Sequence, residues 1–206
     1  MEQNPRRKAP LTQAVLGTVD DELRQLFYQA LAKKRNDDAW VREARDQQRR
    51  FAGLYGTDSS NWPLLSHNTA PSTEVVGPPD LAQDVHTLLS IAPMLRGLVP
   101  KVINGPDATV FDLLRQSGFS DDNYDQTNLL GTFNPESSNI SMNPRLSQVM
   151  AKTGTDGGER FATLAHEFGH AAGQGHDRGM SNIEGVARMR KEYMQRLLQQ
   201  LGAKRP

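Results

Sequence analysis

Cysteine is absent from all 206 residues. Disulfide staples and thiolate metal sites are therefore excluded, and any metal must be held by His, Asp or Glu. No apolar run reaches the roughly 18 residues of a membrane-spanning helix, so no membrane span is expected. Aromatic residues are only 6% of the chain and hydrophobic residues 36%. A chain of this size supports one well-buried core with long irregular connections, not two large domains.

Neither sign of charge dominates, with 24 Lys and Arg against 24 Asp and Glu. Residues 1–50 carry 11 basic and 8 acidic side chains, residues 51–150 carry 4 and 10, and residues 151–206 carry 9 and 6. None of these segments has the clustered Lys and Arg of a dedicated nucleic-acid binder, so nucleic acid is not an expected partner. The acidic middle is suited to attracting a basic substrate. Arg6-Arg7-Lys8 makes a small basic patch with no apolar stretch after it, so a Sec-type signal peptide is not expected.

Periodicity divides the chain into a lead-in (1–17), a helical N-terminal region (18–127) and a C-terminal core (128–206) that packs with it as one unit. Thr18 and Asp21 resemble a helix start, followed by Leu23, Leu26, Phe27, Ala30 and Leu31 at helical spacing. A second helix is predicted from Asp38 to Phe51. Gly53 to Pro79 reads as a long loop. Asp80 is placed to cap a helix that Pro93 ends. Asp107 to Ser117 predicts a short helix closed by Gly118. Asn128–Phe133 and Asn139–Met142 predict two short strands joined by a turn. Asn143-Pro144 breaks the second strand ahead of a short helix from Arg145 to Ala151. Asp156, three residues before Glu159, suits the start of the next helix, and a last helix is predicted from Asn182 to Leu201 with Ser181 and Glu184 as a capping box.

The segment His166-Glu167-Phe168-Gly169-His170-Ala171-Ala172-Gly173-Gln174-Gly175-His176-Asp177 carries the chemistry. Residues four apart share one helix face, so His166 and His170 can reach one ion at the usual zinc–imidazole distance of about 2.0–2.1 Å. Glu167 points beside that ion, where its carboxylate can take a proton from water. Gly173 suits a helix end and a chain reversal, which returns His176 to the same ion and leaves a fourth position open. From this chain's composition the pattern arises by chance with a probability of roughly 10⁻⁵. Glu184 is a rival third ligand. Asp177 is expected to orient an imidazole. His67 and His86 stand alone, Tyr193 reads as a helix-face residue, and Met180 reads as ordinary packing.

These residues match the metzincin pattern H-E-x-x-H-x-x-G-x-x-H, and Gly175-His176-Asp177 resembles the end of the motif in WLM-type crosslink proteases. The run from Ile140-Ser141-Met142-Asn143-Pro144 through His166-Glu167 is similar to bacterial effector metallopeptidases of the NleD type. The resemblance covers about residues 128–195. It implies an α+β, mostly helical zincin-like fold with a small sheet on the motif helix, and a zinc endopeptidase with His166, His170 and His176 on Zn2+ and Glu167 as general base. In metzincins a methionine turn lies under the zinc, a role for which Met180 is the candidate; in the effector family a later helix supplies a glutamate ligand, a role open to Glu184. An extended protein or peptide substrate is expected to add to an unpaired edge around Ile140–Met142. The expected setting is a bacterial effector or toxin, secreted without a signal peptide or delivered into a target cell. The alternatives are a cytoplasmic protease of the crosslink-repair kind and a non-enzymatic, metal-stabilised virion or secretion component.

Overall fold

A computed structural model describes residues 13–35, 72–118, 124, 129–146 and 158–200. Among them the order is α1 (Gln13–Arg35), β1 (Glu74–Val76), α2 (Pro79–Ile91), a 3-10 turn (Pro93–Leu95), β2 (Lys101–Asn104), α3 (Ala108–Gln116), β3 (Gly131–Phe133), β4 (Ile140–Met142), α4 (Gly158–Ala171) and α5 (Arg178–Gln200). The sheet runs β1-β2-β4-β3, with β1, β2 and β4 parallel and β3 antiparallel to β4. This is an α+β fold, mostly helical, with a four-stranded sheet.

The core forms where the predicted apolar stripes meet. Leu23, Phe27 and Ala30 of α1, Leu81 and Leu88 of α2, Val102 and Ile140 of the sheet, and Phe161, Leu164, Ala165 and Phe168 of α4 are fully buried in one cluster. Helix α4 is inaccessible on most of its surface, with α5 along one side and the sheet on another. Helix α1 packs across α5.

Charged side chains join the layers internally. Asp84 of α2 is 1% exposed and accepts from Arg160 of α4 at 2.7 Å and from Lys191 of α5. Arg190 of α5 donates to Asp20 of α1 at 2.6 Å. Arg24 donates to the Ile91 carbonyl at 2.6 Å, satisfying the C-terminus of α2.

Several expectations need correction. Helix α1, Gln13–Arg35, takes in residues of the stretch 1–17 read as a lead-in. The region read as helical supplies two of the four strands, and β1 lies inside the stretch 53–79 read as loop. Among the described residues the sheet edges are β1 and β3, not Ile140–Met142: β4 is paired on both sides, by β2 and β3. The capping box fails because α5 starts at Arg178, which leaves Ser181 inside it. The predicted helix at 38–51 and Asp156 lie outside the described residues, as does most of the short helix predicted after Pro144.

Other expectations hold. Asp107 Oδ1 accepts from the Val110 amide at 3.0 Å, capping α3, and Gly118 closes it at φ 79°. Asn143 donates to the Tyr124 carbonyl at 3.0 Å and the Leu129 carbonyl at 2.7 Å. The Asn-Pro break thus clamps the chain that enters β3 against the end of β4.

Candidate metal centre

Helix α4 ends in a Schellman closure: the Gly173 amide bonds the His170 carbonyl at 2.8 Å and the Gln174 amide bonds the Gly169 carbonyl at 2.9 Å. Gly173 takes φ 90°, which L side chains rarely adopt. The chain then reverses and α5 begins almost at once, with Asp177 as its cap, accepting from the Gly179 amide at 2.8 Å. The reversal carries His176 back over α4.

The three imidazoles meet there. His166 Nε2 and His170 Nε2 each lie 3.2 Å from His176 Nε2, and one ligand atom from each residue lies within 4.8 Å of the others. Nitrogens bound tetrahedrally at about 2.05 Å stand about 3.3 Å apart, so this spacing fits one ion. The other ring nitrogens set the tautomers. His170 Nδ1 lies 2.9 Å from the Gln174 carbonyl, which can only accept, so Nδ1 carries the proton. His166 Nδ1 faces the Glu184 carboxylate and donates in the same way. Both Nε2 atoms therefore aim lone pairs at one point. Burial, with His166 and His176 close by, lowers the His170 pKa and favours this neutral form. These two lone pairs, with His176 Nε2 beside them, make a donor set that could hold a metal cation.

Glu167, next in sequence to His166, turns toward β3 and is 4% exposed. Burial pushes its carboxyl up to about 8, opposed by a hydrogen bond from the Phe133 amide and reinforced by the charge of Glu184. Gly131 makes the close approach possible: a Cβ there would sit 3.0 Å from Glu167 Cγ and Oε1 and 2.9 Å from Thr163 Cγ2. Beside these residues a cleft of about 290 Å³ opens between Leu129–Gly131 on one wall and His166, His176 and Glu184 on the other, with Glu159 and Arg188 also lining it. Glu159 and Arg188 pair there at 3.1 Å.

His166, Glu167, His170 and His176 are thus brought together. Glu184 reaches the site from α5 but meets His166 at Nδ1, on the side of the ring away from the convergence point, so it orients this imidazole. Asp177, expected to do that, instead bonds Lys33, the Gln174 side chain and the Gly179 and Met180 amides, and the Lys33 hydrogen bond lowers its pKa. Met180 lies in the first turn of α5, not in a separate turn, with its sulfur against Gly169. Tyr193 packs on the main core. His86 lines a separate cleft with Asp20 and Arg190, and His67 lies outside the described residues. Two contributors escaped the sequence reading. Gly131 was readable as a strand glycine marking close backbone approach. Gln174 acts through its carbonyl, which no side-chain motif signals.

No family model, curated protein or solved structure matches this chain. The local geometry therefore carries the functional reading.

Proposed function

We propose that this chain is a zinc-dependent endopeptidase with a zincin-like active site. The carrying observation is the convergence of three imidazoles, with His176 Nε2 3.2 Å from Nε2 of both His166 and His170, beside a buried carboxyl at the wall of a cleft. Zinc is favoured as the ion because an all-imidazole set of three with a vacant side suits catalytic zinc, and no thiolate is available. Zinc held there would supply Lewis acidity, bringing water to a pKa of about 7 and polarising a carbonyl oxygen.

The chain's own groups do the rest. Glu167 takes the proton of the attacking water and passes it to the leaving amine nitrogen, a transfer suited to a carboxyl whose burial raises its proton affinity. Glu184 fixes the His166 ring, and the Gln174 carbonyl fixes that of His170. Strand β3 has no second strand neighbour among the described residues, so an extended substrate adds along it and crosses the cleft. The similarity to effector metallopeptidases suggests a bacterial effector or toxin acting on a protein of the target cell.

Glu167→Gln tests the reading. The variant is expected to retain zinc by mass spectrometry while cleavage of an unstructured protein substrate falls by about 10²–10⁴-fold, the usual contribution of a general base. Turnover at the wild-type rate with zinc bound overturns the assignment.

A further inference from the structure

No described side chain of helix α1 lines the metal cleft, yet its last turn touches the loop that carries His176 at two places. Lys33 Nζ lies 2.7 Å from Asp177 Oδ2. Lys34 Nζ donates to the Ala171 carbonyl at 2.8 Å, and its stem runs so close to Gly173 that a Cβ there would lie 2.6 Å from Lys34 Cβ. These contacts lead inward to the imidazoles. Asp177 Oδ1 accepts from the Gln174 side-chain amide and from the Gly179 amide. The Gln174 carbonyl holds His170 Nδ1. His176 sits between Gln174 and Asp177, with a glycine before it at 175.

We infer that Lys33 and Lys34 are positioning residues of the metal centre, holding the Gly173–Asp177 loop so that His176 meets the two imidazoles of α4. The inference rests on the proposed zinc site. His166 and His170 are fixed by a buried helix, but the third ligand hangs on a short loop with two glycines. Ordering each freely jointed residue costs backbone entropy, and a loop ordered in advance spares the ion that cost. The Lys33–Asp177 pair is exposed, and such pairs add little to global stability. Metal affinity should therefore move while the stability of the metal-free fold barely does, which separates positioning from a general structural role.

The test measures zinc affinity of the full chain by competition with a chromophoric chelator, beside the urea midpoint of the metal-free protein. Lys33→Met/Lys34→Met is expected to bind zinc about 10–100-fold more weakly, the range found for outer partners of metal ligands, with its midpoint nearly unchanged. Lys33→Arg/Lys34→Arg, which keeps both charges, is expected to recover most of that loss. Lys33→Met alone, at a solvent-exposed position, is expected to lose several-fold and serves if the double variant does not fold. Wild-type affinity in the methionine variants overturns the inference, as does an equal loss in the arginine variant. A wild-type chain that binds no zinc removes the metal centre itself, a failure distinct from wild-type binding that the lysines do not affect.

Discussion

Glu167 is held in a place that a carboxylate would not choose. Its ordinary value of 4.5 is raised to about 8, so the folded, metal-free chain keeps a proton that the unfolded chain releases. The sign follows from linkage: between pH 4.5 and 8 the native state binds more protons, so stability falls as pH rises through this window. At 1.36 kcal/mol per unit, the cost at pH 8.5 is up to about 5 kcal/mol. Glu167→Gln removes this slope. In chelator, its unfolding free energy is expected to match wild type near pH 4.5 and exceed it increasingly toward pH 8.5; parallel profiles would refute the buried-carboxyl account. Glu184 offers a second residue-scale test. As a partner of His166 Nδ1 it tunes a ligand, so Glu184→Gln should weaken zinc binding about 10–100-fold and leave the stoichiometry at one, measured by equilibrium competition. Complete loss of binding would instead make Glu184 a ligand.

At the scale of elements, the site is a helix, a reversal and a second helix. The sequence made this part legible: the H-E-x-x-H spacing placed His166 and His170 on one face, and Gly173 announced the reversal that His176 needs. The Asn139–Met142 strand and the Asn143-Pro144 break were readable for the same reason, as each rests on local steric rules. Strands β1 and β2 were not. Glu74-Val75-Val76 and Lys101–Asn104 are too short to show alternation, and parallel pairing draws its stability from partners distant in sequence. The residue that holds an imidazole is Glu184 and not the expected Asp177 for a similar reason. Ser181 and Glu184 fit a local cap, but Asp177 had already started α5, which turned Glu184 toward His166. Gly173→Ala tests the reversal. It forces a positive φ on a Cβ that also meets Lys34, so a loss of about 1–3 kcal/mol in urea unfolding is expected, together with weaker zinc binding. A neutral substitution would mean that the loop has another conformation available.

Across the whole molecule, layers far apart in sequence converge on one short segment. Asp84 ties α2 to α4 and α5 from inside, and α1 lies across α5 and reaches the metal loop. Removing Asp84 takes the carboxylate from Lys191 and leaves Arg160 with Asp80 alone, so Asp84→Ala is expected to cost about 3 kcal/mol in urea unfolding, the low end for a broken buried pair. Metal bound at the proposed centre would couple to this framework by mass action. An ion that binds only the folded chain stabilises it by about 2.7 kcal/mol at one hundred times its dissociation constant. For a chain of this length that corresponds to about 5–10 °C in thermal midpoint. His176→Ala removes the proposed ligand from the loop without disturbing the α4–α5 packing, because its side chain is exposed. The metal-free midpoint should therefore stay near wild type while most of the zinc-induced rise disappears. If the rise persists in His176→Ala and vanishes in Glu184→Ala, α5 supplies the third ligand, and the imidazole convergence belongs to the metal-free state alone.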